Sequence, residues 1–408
     1  MPDLSMTQVI FGTLIVCLIM GIPIGFSLGI SALLGLLLTR IPLVYMAETF
    51  FSGADIFPLM AIPGFFLAGN LMEKSGITDK IINVIYEIVG NVPGGLAVVS
   101  IFSCMFFAAL SGSGPATTAA IGSIMIPAMV RSGYPPRFAA AVSSTGGTLG
   151  ILIPPSNPMI MYGVVANISV AGLFMAGFLP GLILGSILAL QCFIIGKIKG
   201  YVASGRKFSL RRVAKSIYDG ALVLLMPIIV LGSIYGGFAT PTEASMIAVN
   251  YALILGLAYR KLTLKNIYES IVNAGLLTGA VLIIMGPSMA FGKILTMYEI
   301  PVKIAQIIMS ISTNKIAVLL MISLFLIFVG TFMETLSTIV LLTPIFLPIL
   351  KLLNVDPVHF GILFVVLSEV GFLTPPLGVN LYVASALSGL TLEEISKGVI
   401  PFILVLCA

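Results

Sequence analysis

Hydroxyl groups, small residues and acids gather at a few points of an otherwise apolar chain, and they set the chemistry to be explained. The run SGSGPATT, residues 111–118, offers Ser111, Ser113, Thr117 and Thr118 within a long apolar stretch. Hydrocarbon does not solvate a freed backbone, so such a run at membrane depth must line a cavity enclosed by protein or filled with water. It carries no carboxylate. Carbonyls and hydroxyls suit a monovalent hard cation such as Na+ better than Ca2+, which takes several carboxylates. Close packing of small residues is the competing account of the same run. A second point is PPSNP, residues 154–158. Proline lacks an N–H and clashes with the preceding turn, so the double proline ends a helix and leaves carbonyls around Leu149 to Ile153 open to a cation. Two acids lie in similar surroundings: Glu334 in GTFMET (330–335), and Glu369, six residues before Pro375. Charge at such depth is costly. Each acid either carries a proton, stabilises a cation, or hydrogen-bonds to a nearby backbone. Glu243, in ATPTEAS (239–245), reads instead as a helix N-terminal acid capped by Thr240 or Thr242.

The elements that position these residues follow from composition. Of 408 residues, 59% are hydrophobic and 9% charged, with a mean hydropathy of +1.18. A soluble protein of this size needs more polar surface, so the chain is a polytopic membrane protein. Its apolar stretches of about 17–30 residues match the roughly 20 that a helix needs to cross a bilayer. A β-barrel would alternate in short segments instead. ATP-driven transport is unsupported, because no GxxxxGK[ST] phosphate loop occurs. Asp3 and the lack of a basic region before the apolar run 9–38 indicate a retained first helix, not a cleaved signal. Cys17, Cys104, Cys192 and Cys407 show no metal-type spacing and read as small buried hydrophobes. Seven of the twenty Lys and Arg fall at Lys197, Lys199, Arg206, Lys207, Arg211, Arg212 and Lys215. Short basic loops stay in the cytoplasm, so 197–216 is a cytoplasmic linker between repeats 1–196 and 217–408.

Residues 7–39 are expected as one long helix ending near Arg40, with Gly21, Gly25 and Gly29 forming a ridge that packs within the chain or docks a separate membrane subunit. An interfacial helix follows at 41–57, then an apolar stretch at 58–73 and an amphipathic one at 77–91. The segment 94–130 breaks at SGSGPA, either as a hairpin or as two half-helices meeting at mid-depth. Internal spacing then repeats. Pro136 and Pro357, Pro154 and Pro375, Pro155 and Pro376, Gly177 and Gly398, and Pro180 and Pro401 all lie 221 residues apart. A second hairpin is expected over 315–350, in a register of 217 set by Pro127 with Pro344 and Thr118 with Thr335. An extra helix near 242–259 and basic residues Arg260, Lys261 and Lys265 give the halves opposed orientations. Inverted repeats with broken helices place a transporter's substrate and ions near the midplane.

These residues resemble the large membrane subunit of the tripartite ATP-independent periplasmic (TRAP) transporters. The resemblance rests on SGSGPATTAAIGSIMIP, GILIPPSNPMIMYG, GGFATPTEAS, GTFMETLSTIVLLTPIFLPI, VDPVHFGILFVV and LTPPLGVNLYVAS, and it covers essentially the whole chain. It implies an all-α elevator-type fold and Na+-coupled import of an organic acid anion across the bacterial inner membrane. The expected partners are a small four-helix membrane subunit and a periplasmic substrate-binding protein, with no nucleic acid. Na+ is the coupling ion; no other cofactor and no catalytic residue is implied. Where the family's motifs match, one ion site falls at Ser111, Gly112, Ser113, Thr117, Gly150 and Ile153. The other falls at Gly330, Thr331, Glu334, Thr335, Thr338, Gly371 and Leu373. Ser113, Pro115, Ser156, Asn157, Thr374, Pro375 and Asn380 are the expected substrate contacts, without separating a C4-dicarboxylate from a sialic or other sugar acid. Extra N-terminal helices of fused subunits are not in this sequence, so the small partner is expected as a separate polypeptide unless this is part of a fusion. The ending LVLCA inside an apolar span points to trimming.

Arg131 and Arg137 are tempting carboxylate ligands, but Lys351 takes the equivalent place in the other repeat and all three fit as interfacial anchors. A passive anion channel also tolerates broken helices. An intramembrane serine protease would need the lone histidine, His359, to face Ser113, and VDPVHF puts it at a helix start beside the membrane surface.

Overall fold

Glycine and proline cut the apolar sequence into nineteen α-helices, with no strand among the described residues. The computed structural model describes residues 2–39, 41–201 and 208–407, so Arg40, Ser204, Gly205, Arg206 and Lys207 lie outside the described residues. The first half runs α1 (Pro2–Ile19), α2 (Ile24–Thr39), α3 (Val44–Ala54), a 3-10 turn (Phe57–Met60), α4 (Ala61–Lys74), α5 (Ile77–Val89), α6 (Gly95–Ser111), α7 (Gly114–Arg131), α8 (Pro136–Leu152), α9 (Asn157–Val165) and α10 (Val170–Lys199). The second runs α11 (Leu210–Tyr235), α12 (Pro241–Ala258), α13 (Leu264–Met297), α14 (Ile300–Ile311), α15 (Lys315–Gly330), α16 (Thr335–Leu352), α17 (Pro357–Phe372), α18 (Val379–Ser388) and α19 (Leu392–Leu406). Five of these helices are long and apolar enough to cross a membrane, and three further pairs qualify as bent spans, making the chain a multi-pass membrane protein.

Several expectations need correcting. The first span is two helices, because Gly21 takes φ +77 and Pro23 follows it. The glycine ridge is therefore interrupted. Gly25 lies against Ile283 and Ile284 and Gly29 against Pro287, so this face packs on α13 of the same chain. The linker is shorter than 197–216: Lys197 and Lys199 end α10, whereas Arg211, Arg212 and Lys215 belong to α11. Cys17, Cys104 and Cys192 are buried but Cys407 is exposed.

The helices sort into two groups. Helices α1–α4 pack with α12 and α13, while α11 lies along α5 and α12. Polar pairs tie this group together: Lys74 to Glu269, and Arg212 Nε to Glu87 at 3.0 Å. Lys80 donates to the Asp219 carbonyl and sits 4.0 Å above the Tyr259 ring. Thr240 closes a capping box with Glu243 at the start of α12, receiving the Glu243 N–H while the carboxylate receives the Thr240 N–H at 2.7 Å. Thr240→Ala removes that cap and is expected to cost about 1 kcal/mol, measured as a lower thermal midpoint in detergent.

The second group holds the breaks. Helices α6, α7 and α8 pack mutually, so the break at Gly112 makes a closed hairpin of α6 and α7. The second pair differs from the hairpin expected over 315–350. Helix α15 lies along α17, α16 packs on α14 and α9, and the two arms barely touch. The first tip turns through a left-handed glycine, Gly112 at φ +60. Between α15 and α16 stand Thr331 to Glu334, with no glycine to fold the arms together. The groups of the two halves interlock: α18 packs on α7 and α8, and α9 packs on α16 and α17.

Candidate functional site

Four helix N-termini meet at one cavity, and each is set by local sequence. Ser113 is extended, with its Oγ accepting the Ala116 N–H at 3.4 Å and Pro115 in the first turn of α7. Ser156 repeats the device for α9, accepting the Met159 N–H at 3.3 Å with Pro158 in its first turn. Glu334 caps α16 by accepting the Ser337 N–H at 3.0 Å. Val379 opens α18 after Gly378 in a left-handed turn. Residues from all four starts line a cavity of about 560 Å3, together with Ile151 of α8, Glu369 and Phe372 of α17, and faces of α4 and α13. Proline in the first turn costs nothing, because that N–H has no intrahelical partner. Unpaired N–H groups and aligned peptide dipoles make such starts attractive to anions.

The capping residues correct the register between the halves. Ser113 and Glu334 do the same task 221 residues apart, as do Thr117 and Thr338, whose hydroxyls donate to the carbonyls of Ser113 at 2.8 Å and Glu334 at 2.9 Å. The spacing of 217 from Thr118 and Thr335 is thus superseded, and one offset runs through tip and break alike. Gly150 and Gly371 obey it too. A Cβ on Gly150 would lie 2.5 Å from the Ser113 carbonyl and 2.6 Å from Thr117 Oγ1, and one on Gly371 would run into the backbone of Gly330. Each tip also bonds to the segment following its own double proline: Asn157 N–H to the Gly112 carbonyl at 3.4 Å, and Leu377 N–H to the Thr331 carbonyl at 2.8 Å. Both Pro154–Pro155 and Pro375–Pro376 are cis.

Of the first predicted ion set, the structure brings together Ser111, Ser113, Thr117 and Gly150. Ser111 and Thr117 share a 2.9 Å hydroxyl contact beside the Ser113 carbonyl. Gly112 closes the tip against the Pro155 carbonyl, where a Cβ would lie 2.9 Å away. The Ile153 side chain packs on Gly181 of α10, which leaves its backbone carbonyl as the group to consider. The freed carbonyls also shift. Leu149 still accepts the Ile153 N–H at 3.1 Å, whereas Gly150 and Ile151 face Pro154 and Pro155, which have no N–H to give. In the second set, Gly330 and Gly371 touch, and Glu334, Thr335 and Thr338 share the start of α16. Leu373 donates its N–H back to Val370, as does the Thr374 hydroxyl.

Among the predicted substrate contacts, Ser113, Pro115 and Asn157 line the cavity. Ser156 is buried in its capping role, and Thr374 and Pro375 stay outside the lining, with Pro375 exposed. Asn380 is fully buried behind the wall, donating to Glu369 Oε2 at 3.4 Å. A Cβ on Gly114 would lie 3.1 Å from Glu369 Oε2 and 3.2 Å from both Asn380 Oδ1 and the Gly147 carbonyl, so α7 begins against this pair. Sequence reading missed the α4 face, Phe66, Asn70 and Glu73. Polar residues three apart in an apolar helix were the available signal. Arg131, Arg137 and Lys351 are exposed at helix ends, and His359 is exposed in the first turn of α17. Ten residues of helix separate it from Glu369, about 15 Å.

Helical starts converging on a cavity that sets a few polar groups in an apolar wall, within an apolar, multi-pass chain, define a membrane permease. The fold is shared with the YdaH transporter of Alcanivorax borkumensis, at TM-score 0.65 and 12% identity over 88% of this chain and 84% of that one. Residues 11–408 match the family described as "Tripartite ATP-independent periplasmic transporter, DctM component", and the chain belongs to that family. Among its relatives, the isethionate TRAP transporter permease protein DctMQ of Oleidesulfovibrio alaskensis is 44% identical over 98% of this chain, which spans 63% of that protein's length. The C4-dicarboxylate TRAP transporter large permease protein DctM of Pseudomonas aeruginosa is 40% identical over 93% of this chain and 89% of its own length. The sialic acid TRAP transporter large permease protein SiaM of Vibrio cholerae is 37% identical over 94% and 90%. These relatives are permease components, not enzymes.

Proposed function

We propose that this chain is the permease of a Na+-coupled secondary importer that carries an organic acid anion across the bacterial inner membrane. It receives the substrate from a periplasmic binding protein and works beside a small four-helix membrane subunit. The observation that carries this reading is the convergence of four helix N-termini, with the α6–α7 tip and the α15–α16 break, on one cavity. The N-termini attract the acid group. Na+ is held by oxygens at the two tips: Ser111, Ser113, Thr117 and the freed Gly150 carbonyl in one, and Thr335, Thr338 and the Gly371 region in the other. Relatives named for isethionate, C4-dicarboxylates and sialic acid support an organic acid as substrate. Helices α6–α9 with α15–α18 form the moving body of an elevator, sliding against α1–α5 and α11–α13, and the two halves are inverted repeats.

Reconstituted with its partners in liposomes, the permease is expected to accumulate substrate when a Na+ gradient is imposed. Uptake indifferent to Na+ would remove the symport reading, and flux that merely follows the substrate gradient would identify a channel. Thr117→Val preserves shape but removes the hydroxyl that bonds Ser111 and Ser113. Its apparent Na+ affinity is expected to fall about tenfold, equal to roughly 1.4 kcal/mol. An unchanged Na+ titration would remove the Thr117 side chain from the ion set.

A further inference from the structure

The cavity that the proposed function assigns to substrate is lined by three carboxylates, Glu73, Glu334 and Glu369, and by no Lys, Arg or His among the described residues. Two of these acids already have partners. Glu334 accepts the Ser337 N–H and Glu369 the Asn380 amide. Glu73 enters separately, from α4, one turn beyond the place where Gly69 packs on Ser111. Glu73 is exposed where it lines the cavity, and its neighbour Lys74 is paired with Glu269, so Glu73 is open to a cationic group of the ligand. Two donors stand out in the rest of the lining, which is mostly apolar. Asn157 is 2% exposed with both side-chain polar atoms unpartnered, and Thr335, also 2% exposed, has an unpartnered hydroxyl. They stand at the starts of α9 and α16, where peptide dipoles favour negative charge. Small-molecule sites place a few such groups in an apolar wall to fix orientation.

We infer that the transported organic acid also bears a cationic group, with its acid end on Asn157, Thr335 and the helix starts and its ammonium on Glu73 and Asn70. This rests on the cavity being the substrate site of an organic-acid permease. A plain anion would leave Glu73 to water alone. A zwitterion satisfies both ends.

The test uses the purified permease in detergent with saturating NaCl and matched pairs that differ by an ammonium group: taurine against isethionate, and aspartate against succinate. Thermal stabilisation is expected at concentrations at least tenfold lower for the ammonium-bearing member of a pair. Glu73→Gln is expected to erase that preference while leaving the unliganded melting temperature unchanged. Equal or reversed preference in the wild type overturns the zwitterion inference and leaves the organic-acid reading intact. Stabilisation by none of the four compounds in Na+ overturns both. A preference that survives Glu73→Gln removes Glu73 from the site and overturns the assignment.

Discussion

Gly371→Ala and Gly150→Ala are each expected to cut Na+-driven uptake by about tenfold or more, the equivalent of at least roughly 1.4 kcal/mol at the ion or substrate site. The atoms that a new methyl meets decide the size of the effect. At Gly371 it meets the carbonyl carbon and oxygen of Gly330, and at Gly150 the carbonyl of Ser113. These are backbone atoms at the tips themselves, and they have no alternative rotamer to adopt. Relief requires the tip to move away from the broken helix, which separates the oxygens proposed to hold Na+. Overpacking of this kind costs about 1–3 kcal/mol in stability as well. Gly279→Ala supplies the comparison, because a Cβ there meets nothing within 4 Å and alanine is the better helix former by up to about 1 kcal/mol. It should transport normally with an equal or higher melting temperature. Wild-type Na+ dependence in Gly150→Ala would show that the first tip tolerates displacement and is not the ion locus.

The same backbone approach explains what the sequence made legible. Prolines and glycines recur at a fixed spacing because each repeat needs a helix stop and a place for the tip to touch it, and these demands permit few residue types. The tip itself was harder to register. Ser113 and Glu334 cap their helices equivalently but share no side-chain identity, whereas Thr118 and Thr335 are identical and not equivalent. Matching letters therefore gave an offset of 217 where matching roles gives 221. The divergence of α15 from α16 was invisible, since uniformly apolar helices carry no stripe to say which neighbour they meet. Residues such as Leu320, Leu324 and Phe328 remain exposed on α15. The break between α1 and α2 was readable from Gly21 and Pro23, yet an apolar run of that length reads as a span until the turn is seen. Glu73 lay at the edge of an apolar stretch and was passed over because its cavity is built from helices far apart in sequence.

Asn380→Leu is expected to lower unfolding free energy by about 1–3 kcal/mol, the cost of leaving a buried hydrogen-bonding partner unsatisfied. Its amide is the donor that the structure gives to Glu369, and both residues are almost wholly buried. Glu369→Leu alone should also destabilise, because it strands the Asn380 amide in a site whose Oδ1 already has no partner. The double variant Glu369→Leu/Asn380→Leu removes both polar groups together. Reversible unfolding in mixed micelles should find it more stable than the sum of the single losses by about 1–3 kcal/mol, the coupling expected of residues in contact. Losses that add within about 0.5 kcal/mol would mean that the two groups do not interact. Uptake separates the structural role from the functional one. Glu369 also faces the cavity, so recovered stability in the double variant should bring no recovery of transport. A double variant that both folds and transports would reduce the pair to packing, and the cavity wall formed by α7, α17 and α18 would then need no carboxylate to work.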